Sequence, residues 1–405
     1  MKCENSWKSQ SLRELATINY GRSPAAILAE DGLYPVVGTG GSERLGNDYL
    51  HDGESIILGR KGTIDRVYFA TGRFWTIDTA YYLTGFGESV PRWLFYYLQT
   101  PDLRQMNEAT GVPSLSRDLL YKIEIPTPSK PEQTKIAEIL SMVDRAIEQT
   151  EALIAKQQHI KTGLMQDLLT RGIDEHGNLR SERTHQFKDS PSGRIPVEWE
   201  ATTLGHIGIW SSGGTPSKTN PKFWSGEIPW VSPKDMKFFD LKNTIDTITD
   251  VGARFGSKVL PEGTIFIVIR GMILAHTFPV CYATRPMAFN QDVKAIIVKP
   301  GIIARYAAYW LVAHEEAILK IATTATHGTK RFDMDDLYNV DAAALPQELE
   351  QQQIIQLLDE YQWQIVLTKA QAEKLLSLKT ALMQDLLTGK KRVTALLTDT
   401  EAVGV

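Results

Sequence analysis

The stretch Leu164-Met165-Gln166-Asp167-Leu168-Leu169-Thr170 occurs a second time in the chain, without a single change, from Leu382 to Thr388. The two copies are 218 residues apart. At the same shift, 17 of the 39 positions from Glu132 to Thr170 match those from Glu350 to Thr388 without a gap. An internal repeat of this length predicts a fold built from two similar halves.

Both copies of the repeat have the hydrophobic period of a long α-helix. Apolar residues recur at mostly three- and four-residue steps, which places them on one face of a helix. A helix that covers all 39 positions would be about 60 Å long. The residues predicted to form the interface between the two helices are Ile136, Leu140, Val143, Ile147, Leu164, Leu168, Ile354, Leu358, Tyr361, Ile365, Leu382 and Leu386.

An apolar stripe on such a long helix must be covered, because most helical stability comes from packing of the apolar face. The favoured partner is the other copy in the same chain. The alternatives are packing of each helix on its own neighbouring domain and pairing between two chains. The stripes alone leave both the parallel and the antiparallel arrangement open.

Composition places the chain among soluble globular proteins. Of its 405 residues, 42% are hydrophobic and 23% are charged, and the length predicts two or three domains. The first residues lack the apolar core of a signal peptide, and no apolar run is long enough to span a bilayer. Two isolated cysteines, Cys3 and Cys281, favour a reducing cytoplasm. The formal net charge of −4 requires any DNA contact to come from local basic patches.

The repeat extends into the segments that precede the helices. At a shift of 192, the matching residues are Trp7, Leu12, Gly21 and Pro24 with Trp199, Leu204, Gly213 and Pro216. At a shift of 210, Arg44, Gly46, Leu50, Gly53, Ile57 and Arg60 match Arg254, Gly256, Leu260, Gly263, Ile267 and Arg270. Asp78 then matches Asp292, and Asp118-Leu119 matches Asp336-Leu337.

This pattern predicts two globular domains, each followed by a long helix. The predicted parts are a first domain at 1–130, a first helix at 131–170, a linker at 171–196, a second domain at 197–345, a second helix at 346–388 and a tail at 389–405.

Each globular half is predicted to belong to the α+β class, because short strand-like runs outnumber helices. The predicted strands include Ser55–Leu58, Arg66–Ala70, Thr79–Leu83, Thr264–Ile269 and Lys294–Val298. A helix is predicted to begin near Pro91 in the first half and near Ala304 in the second.

We find no set of residues typical of a catalytic site. The chain lacks a Gly-x-x-x-x-Gly-Lys-Ser/Thr phosphate loop and the Asn/Asp-Pro-Pro-aromatic motif of amino-methylating enzymes. Its eight histidines are scattered and form no metal-ligand spacing with cysteine or aspartate. The residues by themselves therefore indicate no catalytic or metal-binding site.

Loops that combine glycine, hydroxyl groups and cations occur in both halves. Bare backbone amides can approach a phosphate, and Arg or Lys can neutralise the strand or read guanine. A turn with a solvated cation is the alternative for each loop taken alone. The residues predicted to bind DNA are Thr39, Gly40, Ser42, Arg60, Lys61, Ser114, Arg117, Thr215, Ser217, Lys218, Arg270, Thr329, Lys330 and Arg331. The nearby Trp75, Phe223, Trp224 and Trp230 are interpreted as packing residues.

Three segments resemble a known family. Ser212–Ser217 followed by Asn220–Trp230 is similar to the opening of a target-recognition domain in the DNA-specificity subunit of type I restriction-modification systems. Phe187–Pro196 resembles the central junction of that family, and Ile125–Gln133 resembles its entry into the conserved helix. The resemblance covers nearly the whole chain and its two-copy order.

The resemblance implies a non-catalytic scaffold that reads a bipartite site in double-stranded DNA. In the family, two target-recognition domains each read one half of the site, and the two long helices pair as an antiparallel coiled coil. Two methyltransferase subunits, which use S-adenosylmethionine, and two restriction subunits, which use ATP and Mg, are the implied partners. The alternatives are a coiled-coil interaction scaffold without DNA specificity and a cryptic nuclease.

Overall fold

The computed structural model of the protein describes residues 7–190, 193–324 and 328–398, without the side chains of Glu43, residues 342–344 and Thr398. Cys3 and the last seven residues of the predicted tail lie outside the described residues. The chain forms two compact units. Unit 1 contains Met1–Leu153 and Thr368–Val405, and unit 2 contains Ile154–Leu367.

The described residues of unit 1 form ten strands. They are β1 (Lys8–Ser11), β2 (Thr17–Tyr20), β3 (Tyr34–Gly38), β4 (Gly41–Gly46), β5 (His51–Asp52), β6 (Ser55–Gly59), β7 (Val67–Ala70), β8 (Arg73–Thr76), β9 (Ala80–Thr84) and β10 (Glu124–Thr127). Its short helices are α1 (Leu12–Leu15), α2 (Pro91–Tyr97) and α3 (Arg117–Leu120), with a 3₁₀ helix at Leu103–Met106.

Two long helices run through both units, α4 (Lys130–Thr170) and α9 (Glu348–Leu386). No proline or glycine interrupts either helix beyond its first turn except Gly163 in α4, which agrees with the sequence expectation. A further short helix, α10 (Ala395–Thr398), follows α9 in unit 1.

Unit 2 contains the remaining strands. They are β11 (Phe187–Ser190), β12 (Gly193–Pro196), β13 (Glu200–Thr203), β14 (Gly208–Ser212), β15 (Trp224–Val231), β16 (Asp240–Leu241), β17 (Thr247–Ile248), β18 (Ile265–Val268), β19 (Val280–Ala283), β20 (Ala288–Phe289), β21 (Val293–Val298), β22 (Thr323–Thr324), β23 (Lys330–Arg331) and β24 (Asp341–Leu345). Its helices are α5 (Asp250–Gly256), α6 (Ala304–Ala313), α7 (Glu315–Leu319) and α8 (Met334–Tyr338), with 3₁₀ helices at Leu204–His206, Pro221–Phe223 and Met272–Ala275.

The two units share one sheet topology. The central sheet of unit 1 has the strand order β2-β9-β6-β7, and that of unit 2 has the order β14-β21-β18-β19 with β16 added at the edge. In both, the first strand of the domain also pairs with the strand that leads into a long helix, as β1-β10 and as β13-β24. The α+β class and the two-copy architecture predicted from the sequence are therefore confirmed.

The two long helices run antiparallel within each unit. In unit 1, Lys379 of α9 forms an ion pair with Asp144 of α4 at 2.7 Å, and Glu132 at the start of α4 pairs with Arg392 beyond the end of α9. In unit 2, the Lys161 ammonium of α4 donates to Gln362 of α9 at 2.7 Å. The predicted intramolecular pairing is confirmed in both units.

The apolar stripe is covered by the partner helix and by the globular domain together. In unit 1, Ile136 and Leu140 of α4 share one core with Leu386 of α9 and with the buried residues of the central sheet and α2. In unit 2, Leu168 of α4 shares one core with Leu358 of α9 and with the corresponding sheet and α6. The other long helix and the neighbouring domain, which the sequence presented as alternative partners, thus both cover the apolar stripe. All twelve predicted interface residues are buried or half-buried.

A glutamine near the start of each long helix attaches the globular domain to it. The Gln133 carbonyl accepts from the Val90 amide, which precedes α2, at 2.8 Å, and its amide group donates to Pro128. Gln351 makes the equivalent bonds, accepting from the Ile303 amide at 2.8 Å. Because both glutamines are buried, these bonds fix the direction in which the domain leaves the helix.

An ion pair between a buried glutamate and a half-buried arginine joins the ends of the two helices in unit 1. The Arg392 guanidinium donates from Nε and Nη2 to the two carboxylate oxygens of Glu132, both at 2.8 Å. Its centre lies 5.3 Å from the centroid of the Trp7 ring. The segment after α9 is therefore attached to the start of α4 by a bidentate bond, the strongest geometry available to an Arg–carboxylate pair.

The same arrangement occurs in unit 2 with different sequence spacing. Arg180, in the segment after α4, forms a bidentate pair with Glu350 near the start of α9. The Glu350 carboxylate also accepts from the Ile173 amide at 2.9 Å and from the Trp199 indole at 3.3 Å. Gly172 allows this approach, since it has a φ of +64° and a Cβ atom there would lie 2.1 Å from the Glu350 carboxylate.

In the described part of the chain, none of the helices is long and apolar enough to cross a membrane.

We predict that Arg392→Ala lowers the free energy of unfolding by about 3 kcal/mol, because removal of one member of a buried ion pair leaves the other charge without its partner. Urea denaturation of the full chain measures the loss. The matched control is Glu88→Gln, which removes an ion pair with Lys130 whose side chains are 92% and 56% exposed. That change should cost less than about 1 kcal/mol. Equal losses for the two variants would contradict the structural role of the buried pair.

We also predict that the contribution of this pair depends on pH. Burial acts to raise the pKa of Glu132, but the hydrogen bonds and charge of Arg392 outweigh it and hold the pKa below its ordinary value of 4.5. A carboxyl group with a depressed folded-state pKa adds stability above its unfolded pKa, and this is lost as the pH falls through the folded pKa. The stability difference between the natural chain and Glu132→Gln should therefore be full above about pH 5 and shrink below about pH 4. Urea titrations at several pH values test this; a constant difference down to pH 3 would refute it.

Candidate nucleic-acid interface

Two loops that are far apart in the sequence meet at one end of the central sheet in unit 1. The Gly62 amide donates to the Pro113 carbonyl at 2.8 Å, and the Leu115 amide donates to the Arg60 carbonyl at 3.0 Å. Between these bonds Lys61 lies opposite Ser114 in an antiparallel bridge. The structure thus places the predicted residues Arg60, Lys61 and Ser114 side by side.

Arg117 joins this group through an aromatic ring. The guanidinium carbon of Arg60 lies 5.1 Å and that of Arg117 lies 5.0 Å from the ring centroid of Tyr20. Tyr20 is the last residue of β2 and is 44% exposed. The sequence analysis missed Tyr20, although it directly precedes the matched glycine Gly21.

The buried side chain of Tyr81 supports this group. Its ring packs edge-on against Tyr20 at 5.2 Å, and its hydroxyl donates to the Leu115 carbonyl at 3.1 Å. Burial raises the pKa of Tyr81, and the nearby Arg60 and Arg117 oppose that shift only in part. Tyr81 is therefore a neutral, hydrogen-bonded side chain that holds the 113–115 segment in place.

The cations of this group are free of carboxylates. Within the described residues, Arg60, Lys61 and Arg117 take part in no ion pair. Arg60 donates from Nη1 to the Asp78 carbonyl at 3.1 Å, and the buried Nε of Arg117 has no hydrogen-bond partner among the described residues. Unneutralised guanidinium groups with open donors are suited to an anionic ligand.

A glycine loop lies beside this group. A Cβ atom at Gly21 would lie 2.0 Å from the Ile77 carbonyl oxygen, so only glycine fits after β2. The Trp75 indole donates to the Arg22 carbonyl at 2.9 Å and fixes the loop from below. The predicted residue Thr39 donates to the Thr63 carbonyl at 3.4 Å, which links the Thr39-Gly40 turn to the loop after Lys61.

Unit 2 has the same two backbone hydrogen bonds on either side of an antiparallel bridge, with different side chains. We call this set of bonds the ladder of each unit. The Gly271 amide donates to the Lys330 carbonyl and the Phe332 amide donates to the Ile269 carbonyl, both at 3.0 Å. Arg270 lies opposite Arg331 between these bonds. The predicted residues Arg270, Lys330 and Arg331 are therefore brought together, and within the described residues none of the three is in an ion pair.

The hydrogen bonds correct the sequence match in this region. The Arg60 amide donates to the Thr79 carbonyl and the Ile269 amide to the Asp292 carbonyl, both at 2.9 Å. Structurally, Arg270 therefore corresponds to Lys61, and the match with Arg60 is wrong by one residue. The reason is that the segment just before β18 in unit 2 is one residue shorter than the corresponding segment before β6 in unit 1. A shift of one residue in a strand moves each side chain to the other face, so it changes which side chains are equivalent.

The same correction applies to three further matches. Ile57 corresponds to Phe266 and not to Ile267, and Asp292 corresponds to Thr79 and not to Asp78. The Leu12 amide donates to the Ile123 carbonyl, and the Leu204 amide makes the equivalent bond to the Val340 carbonyl. Ile123 and Val340 are therefore equivalent, at a shift of 217 residues and not 218. At this shift Asp118 corresponds to Asp335 and not to Asp336.

The glycine loop of unit 2 is held as in unit 1. A Cβ atom at Gly213 would lie 2.2 Å from the Phe289 carbonyl oxygen, and the Trp230 indole donates to the Gly214 carbonyl at 3.0 Å. Trp230 is 4% exposed, as expected for a packing residue. The predicted residue Thr215 donates to Gln291, directly before Asp292, at 2.6 Å.

Four predicted residues have no described contact with these groups. Ser42 lies on β4, where it pairs with Val37 of β3, and its hydroxyl donates to the Arg44 carbonyl at 3.5 Å. Ser217 shares a hydrogen bond with Thr219, Lys218 is exposed in the same loop, and Thr329 precedes β23.

The two surfaces differ at the position of the tyrosine pair. The strand registers place Ser212 and Lys294 of unit 2 where unit 1 has Tyr20 and Tyr81. The Lys294 ammonium donates to the Ser212 hydroxyl. The sequence analysis missed this pair too, because the two residues come from strands that are adjacent only in the folded sheet.

The described residues contain no group of three or more His, Cys, Asp or Glu that could hold a metal ion. Burial raises the pKa of the Cys281 thiol to about 12. This cysteine is therefore protonated and unreactive at neutral pH.

Comparison with known proteins places this arrangement in a family. Residues 4–157 and 196–377 match the family described as "Type I restriction modification DNA specificity domain". The chain is 32% identical over 242 residues to the EcoR124I/EcoR124II specificity subunit of Escherichia coli, an alignment that covers 59% of this chain and 55% of the relative. It is 31% identical over 128 residues to the MjaIX specificity subunit of Methanocaldococcus jannaschii, covering 31% of this chain and 29% of the relative. The matches thus span about half or less of these relatives.

Solved structures agree in fold over a longer stretch. The S subunit of a type I restriction-modification system from M. genitalium superposes with a TM-score of 0.64 at 15% identity, covering 96% of this chain and 98% of that chain. A chain from a structural study of complex assembly in the type I restriction-modification system superposes with a TM-score of 0.56 at 17% identity, covering 96% and 100%.

Proposed function

The chain belongs to the type I restriction modification DNA specificity domain family, and on that premise we propose that it reads a bipartite site in double-stranded DNA. The observation that carries the proposal is the repeated ladder, Lys61 opposite Ser114 and Arg270 opposite Arg331, which presents cations without an ion-pair partner among the described residues at the same place in two units. Each unit would bind one half of the site.

The chemistry of the two ladders suits DNA. Phosphate contacts by Arg and Lys supply affinity, and base-edge contacts by Arg supply sequence preference. The glycine loops after β2 and β14 bring backbone close to the ladders. Because the chain has a net charge of −4, binding would concentrate at these two patches.

We propose that the two long helices set the spacing of the half-sites. Helices α4 and α9 are continuous through both units, and a helix has a fixed rise of about 1.5 Å per residue. Half-sites read on one face of B-DNA lie about one helical turn, 34–36 Å, or a multiple apart. A paired helix is stiff enough to hold such a distance.

The proposed partners are two methyltransferase subunits and two restriction subunits. The methyltransferases would use S-adenosylmethionine to modify adenine, and the restriction subunits would use ATP and Mg. This chain would contribute specificity without catalysis or a cofactor of its own. The complex would act in the cytoplasm.

The experiment that tests the proposal is selection of DNA from a random library by the chain co-expressed with its methyltransferase, at a stated salt concentration. Two short, different motifs at one fixed spacing are expected. A stable complex that selects no motif would instead indicate an interaction scaffold. Cleavage of DNA by the chain alone with Mg²⁺ would indicate a nuclease.

We predict that Lys61→Ala and Arg270→Ala affect different half-sites. Each substitution removes one cation at the equivalent position of a ladder and should weaken binding about tenfold. Competition with DNA in which one half-site at a time is scrambled identifies the affected half. Lys122→Ala, which removes an exposed cation of unit 1 outside the ladder, is the control and should change binding less than about twofold. Loss of both half-sites in either variant would contradict independent reading.

We also predict that longer helices select a longer spacer. Seven residues inserted between Leu153 and Ile154 and seven between Leu367 and Thr368 keep the apolar stripe in phase and extend both helices at the junction of the two units. Seven residues add about 10 Å, or up to about three base pairs. Library selection measures the new spacing. The control inserts the same residues in α4 alone, which should disrupt helix pairing and lower stability. An unchanged spacer in the double insertion would refute the proposal that the two long helices set the spacing of the half-sites.

A further inference from the structure

We propose that Tyr20 is a positioning residue that holds Arg60 and Arg117 as a paired guanidinium platform, and that this platform reads a guanine in the half-site bound by unit 1. The inference rests on the proposed function and adds to it the residue that determines specificity and the base that it recognises.

The geometry brings two like charges to one ring. Arg60 and Arg117 come from segments more than fifty residues apart, yet their guanidinium carbons lie 5.1 Å and 5.0 Å from the Tyr20 centroid. Their mutual repulsion is unfavourable without a carboxylate between them. The negative face of an aromatic ring attracts a cation at this distance and compensates in part. Tyr20 itself is supported by the edge of Tyr81.

The platform has the properties needed to read a base. A guanidinium carries five N–H donors in a planar fork. One donor of Arg60 is used by the Asp78 carbonyl, which fixes its direction, and the Arg117 guanidinium donates no hydrogen bond to any described residue. Guanine presents two acceptors, O6 and N7, in the major groove, and a fixed fork matches them. A guanidinium fork also matches phosphate, but Lys61 beside the platform supplies a cation for that contact without a fixed fork.

Unit 2 lacks every member of the trio. The strand registers and ladder bonds place Ser212 at the position of Tyr20 and Ile269 at the position of Arg60. By the same correspondence Met334 stands at the position of Arg117, and both Ile269 and Met334 pack against the core of unit 2. The platform should therefore act on one half-site only.

The test uses the chain co-expressed with its methyltransferase and starts from the motif that the natural chain selects. Each guanine of that motif is replaced in turn by 7-deazaguanine, which removes the N7 acceptor and keeps base pairing. We expect one guanine, in the half-site lost in Lys61→Ala, at which the replacement weakens binding about tenfold or more.

Variants at Tyr20 then test the positioning role. In Tyr20→Leu the penalty for 7-deazaguanine should fall to less than about threefold, and other bases at that position should be tolerated. Tyr20→Phe keeps the ring and should restore the preference. The matched control is Tyr49→Leu, because Tyr49 is 38% exposed and has Arg73 over its ring at 5.1 Å. Arg73 is already paired with Asp52, so this control should not alter the selected motif.

The outcomes separate the inference from the proposed function. If the natural chain selects no motif, the proposed function fails and the platform with it. If it selects two half-sites but Tyr20→Leu, shown by thermal unfolding to be folded, selects the same motif with the same 7-deazaguanine penalty, the platform alone is refuted. A uniform loss of affinity in Tyr20→Leu, with unchanged base preference, would assign the two arginines to phosphate and also refute guanine reading.

Discussion

The buried ion pair between a glutamate at the start of one long helix and an arginine beyond the end of the other is the interaction on which each unit depends. Glu132 with Arg392 in unit 1 and Glu350 with Arg180 in unit 2 are both bidentate. Each pair joins segments that are far apart in sequence and fixes the ends of two helices against one globular domain. A buried carboxylate without its arginine would be costly, so this pairing favours one arrangement of the helices over sliding alternatives.

The recognition surfaces combine a constant backbone with variable side chains. The same two ladder bonds form in both units, and the same glycine follows the first strand of each central sheet, as Gly21 and as Gly213. Backbone bonds do not depend on side-chain identity, so side chains can change without loss of the ladder. This freedom allows a tyrosine and two arginines to stand beside the ladder of unit 1, and a lysine and a serine to stand beside that of unit 2. Under the proposed function, one architecture would thus read two unequal half-sites.

Sequence analysis found the candidate loops but not the contacts between them. Arg60, Lys61, Ser114 and Arg117 were predicted as separate loop residues, and the structure places them in one group. Tyr20 was missed because a single tyrosine at a strand end carries no pattern. The one-residue error in matching Arg270 arose where a loop differs in length, because conserved-looking letters do not report the register of a strand.

The sequence by itself determined the two-copy order, the two long helices, the α+β class and the family that the chain resembles. These follow from local periodicity and from repeated letters, since a helix is defined by neighbours three and four residues apart. The family resemblance implied the antiparallel direction that the apolar stripes left open, and the structure confirms it within each unit. Only the tertiary structure decided which arginine meets which glutamate and which cations share a ring. Such contacts join residues separated by tens to hundreds of positions, and their choice depends on strand register and loop length, which no local pattern encodes.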